Sequence, residues 1–277
     1  MNRETILRVF STTPTEIDLN LPRWARRKHP IVRRHLGVYW RLMPPQFDSM
    51  LNWVVLQSVV VLLTMFAPFL YTILLPLVMV SLALLPVAFF MYARAIAELA
   101  SDSSRSMVAE IENRTLGLLM TTPLSIRELL LAKISGAMWK QSEAFSMLLM
   151  IVSLSQIPVI FLYFANMYPP QQFPAAAQIG SVLIYLTSIA RLPIEMFMVG
   201  AFGQYMGATT NGRSAAAAGT VTMAAFYFLL INLPRFAPMG PALRIVVEAV
   251  IPTALPIALS FALMAMTERA LRDGERA

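Results

Sequence analysis

The chain has no cysteine, which excludes disulfides and thiol catalysis. Charge is scarce: 13% of residues are Asp, Glu, Lys or Arg, against 57% hydrophobic. Only two histidines occur, His29 and His35, in a basic arm without carboxylates at metal-ligand spacing, so no metal site is expected. Neither a Gly-x-Ser-x-Gly elbow nor a His-Glu-x-x-His helix is present, and no catalytic set can be assembled. The string from Gly207 to Ser214 has the spacing of a phosphate-binding loop, but Arg213 stands where the lysine belongs and no strand precedes it. Nothing here predicts an enzyme, and no cofactor is expected on this chain.

What the chain has instead is long apolar runs, with a mean hydropathy of +0.64. That places it in the membrane class. No residue between Asp48 and Arg94 is charged. At about 1.5 Å per helical residue, that block exceeds one crossing of a hydrocarbon core roughly 30 Å thick. A helical hairpin is expected, turning near Pro68 to Pro76. The expected fold is an all-α membrane protein of six transmembrane helices, near 51–70, 73–93, 144–164, 177–206, 214–233 and 249–267. Pro252 and Pro256 are placed to shorten or kink the last. Residues 1–48 form an N-terminal arm, and 49–277 a single transmembrane domain with a cytoplasmic segment at 103–135.

With both termini inside, nineteen Lys and Arg lie inside and two, Arg235 and Arg244, outside. This is the asymmetry the positive-inside rule requires. The net charge of +7 then reads as orientation and contact with anionic membrane lipid. No groove-reading or base-stacking motif accompanies it, so nucleic acid is not an expected partner. The first forty residues lack the apolar core and cleavage site of a signal peptide, so insertion is expected to rely on the first span.

In the arm, Trp24, Ile31, Val32, Leu36, Tyr39 and Trp40 alternate with Arg23, Arg26, Arg27, Lys28, Arg33, Arg34 and Arg41. A helix from about Pro30 to Met43 would align Val32, Leu36, Tyr39 and Met43 as an interfacial, amphipathic element. It either fixes topology as a charged flank or braces the first span and meets a partner.

Glu110–Lys133 is the most organised segment between spans. From Ser103 to Met120 the pattern is helical, with Val108, Ile111, Thr115, Leu118 and Leu119 on one face. Pro123 stops that helix by disfavouring helical geometry at Thr122. Ser125-Ile-Arg-Glu128 has capping-box form and opens a second helix. Helix, rigid corner and helix make a surface on which a soluble partner can dock.

Residues Glu112-Asn-Arg-Thr-Leu-Gly-Leu-Leu-Met-Thr-Thr-Pro-Leu-Ser125, then Glu128-Leu-Leu-Leu-Ala-Lys133, resemble the signature of type-2 ABC-transporter permeases. That family commonly reads E-x-x-x-G-T-L-E-x-L-L-T-T-P-L-S, then E-L-L-L-G-K. His29-Pro-Ile-Val-Arg-Arg34 is similar to an Asn-Pro-x-x-x-Arg start found in some members. The motif covers about thirty residues, and the six-span topology extends the likeness loosely over the chain. The resemblance implies a membrane subunit of an ABC exporter in a prokaryotic inner membrane. Two permease copies or homologues would pair, and separate ATPase subunits would carry ATP and Mg. It further implies that Glu110, Glu112, Arg114, Leu118, Leu119, Thr122, Pro123, Ser125 and Glu128 meet the ATPase. Arg114 replaces a usual Gly, Gly117 a frequent Glu and Ala132 a common Gly, leaving Glu110, Glu112 and Glu128 as anionic contacts. A non-transporting membrane scaffold or assembly subunit using the same docking helix is the alternative.

Two features lie outside that segment. Arg191 and Glu195, four apart, share a helix face and can pair, near the inner end of their span or against a substrate. Gly203-x-x-x-Gly207 is a small-residue packing motif, for a dimer interface or a contact within the subunit. A short outer half-helix over Ala242–Val250 is expected from the spacing, and family members carry re-entrant helices there.

Overall fold

A computed structural model describes residues 21–37, 47–64, 66–67, 69, 78–169, 172 and 174–274. Every element among them is helical, with no strand. In order these are α1 (Pro30–Leu36), α2 (Phe47–Leu63), α3 (Val78–Glu112), α4 (Thr115–Met120), α5 (Ile126–Lys140), α6 (Ser142–Met167), α7 (Pro174–Thr209), α8 (Arg213–Asn232), α9 (Pro241–Ile245) and α10 (Ile251–Gly274). Five stretches are long and apolar enough to cross a membrane: those built on α3, α6, α7 and α8, and the run from Pro241 to Asp273. Within α2, Asn52–Leu63 is a shorter apolar helix. The expected hairpin turn, and Tyr39, Trp40, Arg41 and Met43 of the expected arm helix, lie largely outside the described residues.

The helices pack with their bulk outward. Phe89, Phe90, Phe226 and Leu229 are each more than 60% exposed, as apolar side chains facing lipid would be. The interior is built from smaller and partly polar residues around α7, which packs on α3, α6, α8 and α10. Leu99, Met196, Met198, Phe202, Tyr227 and Leu263 form the main buried cluster. Below it, glycines let α7 approach α3 and α5. A Cβ on Gly203 would lie 2.6 Å from Ser103 Cβ and 2.9 Å from the Ser104 amide nitrogen. One on Gly207 would lie 2.7 Å from Met107 Cβ and from the Ser104 carbonyl oxygen, and one on Gly200 2.7 Å from Ile134. The Gly203/Gly207 motif therefore serves a contact within the chain. The Ser103 hydroxyl donates to the Gly200 carbonyl at 2.7 Å, and Gln204 Nε2 donates to Ser103 Oγ at 2.9 Å. Close backbone approach and interhelical hydrogen bonds are what hold helices together where lipid removes any hydrophobic drive.

Several expected boundaries move. The expected helix over Ser103–Met120 is two elements, because α3 runs unbroken to Glu112 and the chain then turns at Asn113 and Arg114. Arg114 has φ 54°, the left-handed region, which ends the helix and redirects the chain into α4. The face expected across that break is accordingly split: Val108 is buried, whereas Ile111 and Leu118 are exposed. The arm helix stops at Leu36, since Gly37 takes φ 58°. Its side chains Ile31, Val32 and Leu36 are buried on Leu129 and Ala132 of α5, so α1 is docked on protein.

The segment before the last span is not a separate half-helix. Pro241 onward is helical through to Gly274, with a π turn at Val246–Val250 between α9 and α10. The physical cause is Pro252, which lacks the N–H that would bond the Glu248 carbonyl, so the backbone widens there. Pro256 is absorbed without ending α10.

Gly203→Ala is expected to lower stability by about 1–3 kcal/mol, because the new methyl meets backbone that cannot retreat. Gly117→Ala, where nothing lies within 4 Å, should not. Thermal unfolding of both variants in detergent distinguishes them.

Candidate functional site

The corner after α3 is built by local chemistry. α4 ends at Met120, and the Thr121 and Thr122 hydroxyls donate to the Leu118 and Leu119 carbonyls at 2.8 and 2.5 Å, closing the helix end. Pro123 disfavours helical geometry at Thr122, and Ser125, itself extended, caps α5 by accepting the Glu128 amide at 3.1 Å. The Glu128 carboxylate does not complete the box. It lies 3.8 Å from His29 Nε2 instead, tying α5 to the residue that precedes α1.

Beneath the corner is a polar core that composition did not reveal. Glu110, near the end of α3, accepts the Thr115 hydroxyl and lies 3.6 Å from Lys133 Nζ and 3.5 Å from Arg34 Nη2. Lys133, 3% exposed, also donates to the Ser106 carbonyl at 3.3 Å. Four elements, α1, α3, α4 and α5, thus meet at one carboxylate. Burial pulls the Lys133 ammonium down to about 8, with Glu110 opposing the shift. Burial also pushes His35 down to about 4, helped by the charges of Lys140 and Lys133 and opposed by Glu110. For His29, burial lowers the value and Glu128 partly restores it.

The geometry sorts the expected contact residues. Glu110 is an internal anchor, with 15% side-chain exposure, turned toward the buried Lys133. Leu119 is half-buried against the α1–α5 cluster and is likewise inward. Leu118 is the reverse: 70% exposed on a six-residue helix whose backbone is pinned at both ends. Around it Glu112, Arg114, Gly117, Thr121, Pro123 and Ser125 are exposed, and Thr122 and Glu128 are half-buried. Glu112 is not free either, since Arg213 Nη2 reaches it at 2.8 Å and links the corner to the start of α8.

Arg191 and Glu195 do pair. Glu195 lies about 20 Å from the end of α7 at Thr209. Snorkelling is ruled out: Glu195, 2% exposed, accepts from Arg191 Nε, from the Tyr92 hydroxyl of α3 and from the Tyr227 hydroxyl of α8 at 3.0 Å. Three helices are stitched by one carboxylate. A second buried pair, Arg244 and Glu248, lies where the π turn begins. Arg244 also donates to the Arg235 carbonyl at 2.8 Å, and its guanidinium covers the Tyr163 ring at 5.0 Å. The four-residue spacing is visible in the sequence, within the half-helix expected over Ala242–Val250. Arg244 is thus a buried helical charge.

Acid should weaken the docking of α1. Undocked, His35 takes up a proton below its ordinary 6.5, but in place it does so only near 4. Between those values the undocked state binds more protons, so stability falls as pH falls, by about 2 kcal/mol near pH 4.5. The loss of unfolding midpoint between pH 7 and 4.5 should be smaller in His35→Asn than in the parent. No protein-family model, curated protein or solved structure matches this chain.

Proposed function

We propose that this chain is the membrane-spanning permease subunit of an ATP-driven ABC transporter, an exporter, coupled through residues 110–133 to a separate ATPase. One observation carries the reading: an apolar side chain, Leu118, is held 70% exposed on a corner whose backbone is fixed by caps and by the buried Glu110–Lys133 anchor. Held out on a short rigid projection, Leu118 is placed where a partner could cover it. A fixed corner can pass a push to α3 and α5 together, which a loose loop cannot. The motif resemblance over Glu112–Lys133 and the lack of a usable phosphate-binding loop on this chain both point to an ATPase on another chain. ATP and Mg belong to that partner, and a second permease copy or homologue completes the assembly.

The topology that goes with this has six spans, α2 supplying the first, and both termini in the cytoplasm of a prokaryotic cell. Nineteen basic residues then face inward, and the corner lies at the cytoplasmic surface. Nucleotide binding would tilt the corner, and α3 and α5 would relay the motion to the α7 core. Few charges are available to a translocation path, in keeping with a lipidic or amphipathic substrate.

An ATPase subunit should co-purify with the chain in mild detergent. Leu118→Asp should reduce its recovery at least about tenfold, as for loss of a buried anchor at an interface centre. Gly117→Ala is the control on the same helix. Failure of any ATPase to associate with the parent chain would sink the proposal.

A further inference from the structure

A cavity of about 480 Å³ opens beside the α1–α5 region, between Trp24 of the turn at Arg23–Ala25, Trp139 of α5, Phe145 of α6, Phe197 of α7 and Phe261 of α10. Its size lies within the roughly 300–1,000 Å³ range of small-ligand sites. The walls are almost wholly apolar. Two of the three lining hydroxyls are engaged in the protein: Ser135 donates to the Ala25 carbonyl at 3.2 Å and Ser260 to the Pro256 carbonyl at 2.6 Å. Trp24 and Phe197 pack ring against ring at 6.4 Å and close one side. Nothing in these walls could recognise a polar body, so whatever fills them is apolar where it is buried.

The rim has the opposite character. The Arg127 guanidinium lies 5.5 Å from the centre of the Phe261 ring, and that of Arg27 lies 5.4 Å from the centre of the Trp139 ring. Both rings line the cavity, so a cationic group lies one ring away from it on either contact, with Arg27 itself buried. Arg127 is exposed, and no carboxylate among the described residues pairs with it. Arg23, Arg26 and Lys28 add positive charge on the adjoining turn.

We infer that this cavity is a binding site for an anionic phospholipid, one acyl chain lying between Trp24, Trp139 and Phe261 and the phosphate-bearing headgroup meeting Arg127. The chain has five helices able to cross a membrane, so acyl chains surround it at high concentration. An apolar slot with the exposed Arg127 guanidinium beside a lining ring selects among them by headgroup charge. The bound chain wedges the N-terminal turn against α5, α7 and α10, and so couples lipid composition to the seating of α1. The site does not depend on any ATPase, and its test needs none.

Trp24 and Trp139 are two of only four tryptophans, which supplies the probe. The full-length chain carrying Trp40→Phe and Trp53→Phe would be titrated in mild detergent with phosphatidylglycerol brominated in its acyl chains. Brominated phosphatidylcholine would be titrated in parallel. Saturable quenching is expected, about fivefold tighter for phosphatidylglycerol, with that preference lost in Arg127→Gln. Equal quenching by the two lipids, a preference that Arg127→Gln leaves intact, or no saturable quenching by either would overturn the site.

Discussion

The convergence of Arg34, Lys133 and Thr115 on the Glu110 carboxylate is the interaction on which the surface corner depends. A buried lysine is costly unless its charge is answered, and removing either member of such a pair typically costs about 3–5 kcal/mol. Because the groups come from α1, α3, α4 and α5, they fix four elements relative to one another at one point. The turn at Arg114 and the cap at Ser125 then set only the shape of the projecting part. A corner anchored in this way is continuous with α3, whose middle reaches the Tyr92–Glu195 network.

That network repeats the same device deeper in the bundle. Glu195 gathers Arg191, Tyr92 and Tyr227 from three helices, and each partner is satisfied by the one carboxylate. Around it the contacts are close and small: glycines of α7 against serines of α3. The interior is specified by polar stitching and backbone proximity, with the large apolar side chains directed outward. The cavity under Trp24 interrupts this close packing, and it lies next to the docked N-terminal helix.

Much of the architecture was legible in the sequence because membrane spans are set by length and charge, which need no tertiary information. The helices α6, α7 and α8 fall within a few residues of their expected limits. The Ser125 cap was equally readable, as a local hydrogen bond encoded within four residues. What was hidden was decided over distance. Glu110 looked like a surface acid because nothing local announces that Lys133, twenty-three positions on, folds beneath it. The break at Arg114 was hidden because the apolar period continues through it, and arginine gives no warning of a left-handed conformation. The pairing of Arg244 with Glu248 was hidden because helical spacing alone does not show that both are buried.

The central claim is that the Leu118 corner is covered by an ATPase, and the absence of cysteine makes it directly testable. A single cysteine placed at Leu118, carrying a short photo-crosslinker, can be activated in native membranes and its adducts identified by mass spectrometry. The account predicts an adduct with an ATP-binding-cassette subunit that diminishes when nucleotide state is changed. Adducts with lipid alone, at the same position and under the same conditions, would contradict it.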